Sequence, residues 1–320
     1  MAGSLISGAG GFVGRALAHH LRASGEQVET VGLRTDAEGA RETAVPPVER
    51  WRRALASARP DTVYHLAGAM QGDEAHLLSI NLGLTEALFE ALRLTDLRPT
   101  LIIAGSAAEY GAAALDGIPV REDAACSPYA AYGRSKLAQT QAALTFGDET
   151  SSRVLVARIF NPIGAGMPPH LALADFAAQI ALMPPEGGEL LTGNVDVRRD
   201  FMRVDDVAVA LGSLARHADA AGLCNVCTGV PTRLGDLLQE MIAASGKAVA
   251  VSADPARYRP HEPRIIVGDT TRLRAWTDEP MRGGLREAAV QVLSRAQPGR
   301  GADAPVAGRT VQADLQENRA

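Results

Sequence analysis

"ISGAGGFVG", residues 6–14, closes a short apolar stretch and opens an amphipathic one. Its glycines at 8, 11 and 14 are spaced G-x-x-G-x-x-G. Between a strand and a helix, that spacing makes a tight turn. It also lets a pyrophosphate approach the backbone and aims a helix N-terminus at it. A glycine pattern alone is weak evidence, but this one follows the strand "SLIS" directly and precedes the helical "FVGRALAHHLRAS". The stretch predicts a dinucleotide-binding unit held by Gly8, Gly11, Phe12, Val13 and Gly14.

Working outward, the same rhythm continues. "QVETVGL", "TVYHLAG" (62–68), "TLIIAGS" and "RVLVARIF" read as strands, with helices over "LTEALFEALRL" and "YGRSKLAQTQAALTF" between them. Strands alternating with helices predict an α/β fold: a Rossmann-type, doubly wound parallel sheet. The second half is less regular. "NPIGAGMPPH" and "MPPEGGE" read as loops, and "RLGDLLQEMIAASG" as an amphipathic helix stopped by Gly246. The predicted division is a mainly dinucleotide-binding domain over 1–160, then a smaller C-terminal substrate-binding lobe over 161–295 with segments returning to the first domain. A disordered tail is expected over 296–320, where the composition turns polar and repetitive.

Composition excludes several classes. The chain has 320 residues, 46% of them hydrophobic, and a formal net charge of −5, which leaves no basic footprint for nucleic acid. No apolar run reaches the ~18 residues of a membrane span. The first residues lack the basic-then-apolar order of a signal peptide. Three cysteines suit a reducing cytoplasm. Cys224 and Cys227 form C-x-x-C without a second ligand pair, so they read as packing residues and no metal is expected.

The second predicted strand ends in "VGLRTD". A carboxylate there would bind a ribose 2′-hydroxyl, whereas Arg34 suits a 2′-phosphate, so NADPH/NADP is favoured and NAD is the second choice. Further on, "YGRSK" sets Tyr132 and Lys136 four apart on one helix face. A phenol titrates near 10; a nearby ammonium favours the phenolate, and lowering the pKa by ~3 units needs about 4 kcal/mol of such interaction. Ser106, at the end of "TLIIAGS", is placed to hydrogen-bond the same substrate oxygen.

Taken together, Gly8/Gly11/Gly14, "DTVYHLAG", "SPYAAYGRSK" and the strand-ending serine resemble the extended short-chain dehydrogenases/reductases, the NAD-dependent epimerase/dehydratase family. The resemblance covers residue 3 to about 295. It implies a Rossmann domain with a small substrate lobe, action on a nucleotide sugar, and catalytic roles for Ser106, Tyr132 and Lys136. It also implies cofactor contacts from Leu66, Ala67, Tyr132 and Lys136, with Asn81 of "INLGLT" supporting the active-site loop, and a homodimer. The second half ("RIFNPIGAG", "TGNVDVRRDFMRVDDVA", "CNVCTG") is similar to the GDP-6-deoxy-D-mannose reductases of that family, and "GSAAEYG" fits their "GS-x-x-EYG". This implies Asn161, Arg199 and Arg259 as ligands of the sugar nucleotide. Glu109 reads either as a sugar-site residue or as a surface carboxylate, and His170 as a loop residue or a phosphate contact.

Two alanines decide the chemistry expected. Dehydratases of the family carry an acidic pair after the serine or threonine, and a related epimerase–reductase carries a cysteine two places on. Here these places hold Ala107 and Ala108, which move no proton. What remains suffices for hydride delivery to a ketone carbon and a proton from Tyr132 to its oxygen. The expected activity is therefore NADPH-dependent 4-ketoreduction of a nucleotide-activated 6-deoxyhexose. A 4-epimerase with tightly held NAD, or a cofactor-binding regulator without turnover, stay open from sequence.

Overall fold

The computed structural model describes residues 3–33, 45–114, 117–258, 263–278 and 281–296. The first half runs β1 (Gly3–Ser7), α1 (Phe12–Ala23), β2 (Gln27–Val31), α2 (Pro47–Ala58), β3 (Thr62–His65), α3 (Glu74–Arg93), β4 (Thr100–Ser106), α4 (Ala131–Thr150) and β5 (Val154–Ile159). The second half runs β6 (Asn161–Ile163), α5 (Ala172–Leu182), β7 (Gly188–Thr192), β8 (Arg198–Arg203), α6 (Val204–Arg216), β9 (Gly222–Val226), β10 (Pro231–Arg233), α7 (Leu234–Ser245), β11 (Val249–Ala253), β12 (Ile265–Ile266), α8 (Thr271–Trp276) and α9 (Leu285–Ala296).

Six parallel strands form the main sheet in the order β2-β1-β3-β4-β5-β9. Residue alternation along each strand builds its two faces. Ile6, Tyr64, Ile102 and Leu155 pack with Leu17, Leu21, Val207 and Leu211 under α1 and α6. Their neighbours Leu5, Val63, Leu101, Ile103 and Val156 pack on the other face with Trp51, Leu55, Leu88 and Phe146. Both faces being covered, β5 is buried at every residue, as parallel sheets require. Phe89 and Phe146 stack at 4.3 Å and lock α3 to α4.

Register brings the site together. Ser7 lies beside His65, and Ser106 beside Ile159, which in turn lies beside Val226. The C-terminal strand ends therefore share one edge, and the chain changes winding direction there between β1 and β3, which is where such sheets bind ligands.

The smaller lobe centres on β8, flanked by β10 and β12, with β6 also paired to it. Its core joins Ile163, Phe176, Phe201, Leu237, Met241 and Val292 from β6, β8, α5, α7 and α9. Buried Asp200 of β8 pins the lobe to the segments after β9 and β12. It accepts hydrogen bonds from Thr228 N (2.8 Å) and Oγ1 (2.6 Å), Gly229 N (2.8 Å) and Gly268 N (3.2 Å).

Some elements differ from the sequence reading. Helix α2 falls where no helix was expected; proline at its start and the buried pair Trp51 and Leu55 account for it. Helix α3 begins at Glu74 rather than Leu84, because Asp73 caps it by accepting from His76 N at 2.8 Å. Ala296 ends α9 instead of opening a tail; 297–320 lie outside the described residues. Cys224 and Cys227 are buried, with thiol pKa values pushed up by burial. Among the described residues there is no His/Cys/Asp/Glu group able to hold a metal, and no helix long and apolar enough to cross a membrane.

Candidate active site

A cleft of about 1340 Å³ runs from the glycine turn, past the ends of β4 and β5, to the lobe. The turn's geometry follows from its glycines. Gly8 adopts φ 74°, and a Cβ there would sit 2.6 Å from Ala67 N. A Cβ on Gly14 would overlap the Gly8 carbonyl, so α1 packs directly against the turn. Gly11 caps α1 with no side chain on its amides, and the first turn carries no acidic residue. Gly8, Gly11, Phe12, Val13 and Gly14 line the cleft. An uncapped helix N-terminus facing a cleft through glycines fits the pyrophosphate of a dinucleotide. Arg15 adds a strut, donating to Gly10 O (2.5 Å) and Gly166 O (3.3 Å) across to the lobe.

At mid-cleft stand Ser106, Tyr132 and Lys136, with Ala107 and Ala108 in the same wall. Ser106 Oγ accepts from Ala108 N at 3.2 Å, which leaves its proton to donate. Burial raises the Tyr132 pKa, partly opposed by the Ser106 hydroxyl and reinforced by the Glu109 charge. The expected lowering of this phenol by Lys136 is thus not what the structure holds. The ammonium donates instead to Ala104 O and Gln139 Oε1. Burial lowers the Lys136 pKa to about 8, against the opposing pull of Glu109.

Behind the lysine lies a buried polar chain that sequence reading missed. Gln139 Nε2 donates to Thr85 Oγ1 (2.7 Å); Thr85 Oγ1 and His65 Nε2 lie 3.0 Å apart; His65 Nδ1 lies 2.7 Å from Ser7 Oγ. Burial, and then the Lys136 charge, lower the His65 pKa to about 3, so the imidazole is neutral. Asn81 ties the loop after β3 to α4. It accepts from Ala69 N (2.8 Å) and donates to Ala69 O (3.0 Å) and Ser135 Oγ (2.9 Å).

Toward the lobe the cleft is lined by Asn161, Met167, His170, Asn194, Arg199 and Arg257, among others. Asn161 Nδ2 donates to Asp200 O at 3.0 Å. Arg199 donates to Arg198 O at 2.8 Å. Arg257, exposed, pairs with Asp175 at 2.9 Å.

This arrangement matches a known family. The model of the NAD dependent epimerase/dehydratase family matches residues 4–227. The chain belongs to that family. It is 35% identical over 242 residues to the GDP-6-deoxy-D-mannose reductase of Pseudomonas aeruginosa, covering 73% of this chain and 80% of that one. It is 31% identical over 261 residues to the dTDP-6-deoxy-L-talose 4-dehydrogenase (NAD(P)(+)) of Kitasatospora kifunensis, covering 78% and 81%. The solved structure of RMD from P. aeruginosa complexed with NADPH superposes with a TM-score of 0.76 at 29% identity, over 93% of this chain and 98% of that one. The relatives are named as oxidoreductases or epimerases of nucleotide sugars, and this member of the epimerase/dehydratase family is an enzyme of that class.

Two residues fall outside the cleft of this family member. Ala67 follows Leu66, which lines the cleft; alternation turns the Ala67 methyl into the core below, and only its N–H reaches Ser7 Oγ, at 3.3 Å. Glu109 is neither a sugar ligand nor a surface carboxylate. It is fully buried and bonded to Ser106 N, Thr140 Oγ1 and Arg158 Nε. Arg34 and Arg259 lie outside the described residues. Gln139, Thr85 and His65 escaped the sequence reading because a polar residue in an apolar helix or strand carries no motif. The signal for Glu109 was present: Ser-x-x-Glu at 106–109 is a capping box.

Proposed function

We propose that the chain reduces the 4-keto group of a nucleotide-activated 6-deoxyhexose with NADPH, GDP-4-dehydro-6-deoxy-D-mannose being the substrate and GDP-D-rhamnose the product. The observation that carries the reading is one wall of the cleft: Ser106, Tyr132 and Lys136 face it beside Ala107 and Ala108. That wall has groups to polarise and protonate a ketone, and methyls where the proton movers of dehydration or C-epimerisation would stand. The names of the P. aeruginosa and K. kifunensis relatives support the substrate class.

In this mechanism a nicotinamide dinucleotide, when bound, supplies the hydride. The glycine turn and the N-terminus of α1 hold its pyrophosphate. The Ser106 hydroxyl donates a hydrogen bond to the ketone oxygen, and Tyr132 Oη gives that oxygen its proton. A raised phenol pKa serves this direction of reaction, since the acid must carry its proton at neutral pH. Lys136, held by Ala104 O and Gln139 Oε1, brings a positive charge to the same wall of the cleft, where it meets the negative charge that develops on the reacting oxygens. Asn161 and Arg199, with Arg259 as a further candidate, supply donors for the sugar nucleotide's diphosphate.

Arg34 is proposed as the 2′-phosphate contact; Arg34→Ala would shift the NADPH/NADH preference by roughly 10–100-fold, for a charge-assisted contact of about 1.5–3 kcal/mol. We extend the reading to a homodimer in the cytoplasm, supported by the family resemblance and by three free cysteines. The test is loss of reduced-nicotinamide absorbance with GDP-, dTDP- and CDP-linked 4-keto sugars. Turnover only with a non-GDP sugar would correct the base. No turnover with any of them, together with interconversion of 4-epimers by protein purified with bound NAD, would replace the reductase by an epimerase.

A further inference from the structure

Glu109 has no surface to act from, yet it touches the three elements that build the catalytic wall. Its Oε1 accepts from Ser106 N at 2.7 Å, at the end of β4. Its Oε2 accepts from Thr140 Oγ1 at 2.9 Å, two helical turns beyond Tyr132 on α4. The same oxygen accepts from Arg158 Nε at 2.8 Å, on β5. The ion pair is closed to water, with side-chain exposures of 0% for Glu109 and 3% for Arg158. Arg158 is itself fixed, donating to Glu122 O at 3.2 Å and lying 4.6 Å from the Tyr110 ring centroid. Tyr110 donates in turn to Asn225 Oδ1 of β9 at 2.5 Å.

We infer that Glu109 is the positioning carboxylate of the active site: one side chain that fixes Ser106 against the helix carrying Tyr132 and Lys136, and sets the charge they experience. The carboxylate reaches the serine through its backbone N–H, while the Ser106 hydroxyl accepts from Ala108 N and is turned toward the phenol. Moving β4 relative to α4 would break the Glu109–Thr140 link and with it the serine–phenol alignment. Such misplacement of a reacting group costs up to ~10²-fold in rate.

The charge has a direction as well. Glu109 raises the pKa of both Tyr132 and Lys136. The side chains that act on the phenol are Ser106 and Glu109; around the Glu109–Arg158 pair lie Lys136 on α4 and Tyr110, Glu122 and Cys126 in the β4–α4 connection. Removing the Glu109 charge removes that upward pull, so both the phenol and the ammonium then titrate lower.

The inference rests on the reductase reading for its kinetics but not for its titration. In the full chain, Glu109→Gln is expected to lower kcat ~10–100-fold with KM values within about twofold. It is also expected to move the ultraviolet titration of Tyr132, taken as the difference from the matching Tyr132→Phe protein, to lower pH. Should the stranded Arg158 unfold that variant, Thr140 decides. Thr140→Val, which loses only the helix link, should reduce kcat several-fold, and Thr140→Ser should restore it. A parent protein without ketone turnover would refute the reductase reading, and the Tyr132 titration would still test Glu109. Folded Glu109→Gln with an unmoved Tyr132 midpoint and parental kcat, or Thr140→Val matching Thr140→Ser, would overturn the inference.

Discussion

The two walls of the cleft are built by opposite means. On the sheet side, Ser106, Lys136 and Asn81 are buried, with buried Glu109 behind them, and each is held by hydrogen bonds to backbone or to other buried side chains. On the lobe side, His170 and Arg257 are exposed, on a loop and a single 3-10 turn, and Arg199 on β8 is partly so. The sheet wall is fixed before any ligand arrives, which is what stabilising a transition state demands. The lobe wall carries more exposed cations, Arg257 paired with Asp175 and Arg199 bonded to a backbone carbonyl. Changes on the sheet side should therefore appear in kcat or cofactor affinity, and those on the lobe side in KM.

The comparison breaks most visibly at Tyr132. Tyr132→Phe should reduce kcat by ~10²–10⁴-fold, the usual contribution of a general acid, while NADPH affinity measured by fluorescence titration stays within about twofold. Next is Gly14→Ala, whose methyl has no space against the Gly8 carbonyl. Overpacking of about 1–3 kcal/mol should appear as NADPH binding weakened roughly ten- to hundredfold, with a lower melting temperature. On the other wall, Arg199→Ala should raise KM for the sugar nucleotide ~10–100-fold, as loss of a charge-assisted contact of about 1.5–3 kcal/mol implies, leaving kcat within a few-fold. A fall in kcat of the same size would erase the distinction between the walls.

Two smaller effects sharpen it. Lys136 carries its charge below its pKa of about 8 and loses it above, whereas Tyr132, with its pKa raised, keeps its proton over the same range. Reduction should thus slow as pH rises through about 8, by about tenfold one unit beyond if the charge is required; a flat kcat–pH profile there would remove the lysine's electrostatic role. Least of all, Asp175→Asn breaks the exposed pair with Arg257. An exposed pair contributes about 0–1 kcal/mol, so calorimetry should find the melting temperature shifted by no more than a few degrees.

The contrast between walls also explains what could be read from sequence. The turn at 8–14 and the Tyr132–Lys136 spacing are local patterns with one physical use each, and the structure brings both to one cleft. Glu109 was misjudged because its partners, Thr140 and Arg158, are distant in sequence; only the pairing of β4 with β5 and the packing of α4 bring them close. The chain Ser7–His65–Thr85–Gln139 is likewise assembled by register, since Ser7 and His65 are neighbours across β1 and β3. On the lobe side, short strands such as β6 and β12, two or three residues long, carry too few residues for any period to show.

In the proposed reaction Tyr132 protonates the oxygen of a sugar ketone held on the sheet wall, and a bound reduced nicotinamide would supply the hydride to its carbon. This central claim is tested most directly with NADPH carrying deuterium at the transferable nicotinamide position and GDP-4-dehydro-6-deoxy-D-mannose, reading the product by proton NMR. The account predicts deuterium at C4 of a GDP-6-deoxyhexose, one equivalent per NADPH oxidised, and almost none with Tyr132→Phe. Deuterium elsewhere in the sugar, or a 4-epimer formed with no net oxidation of NADPH, would contradict it.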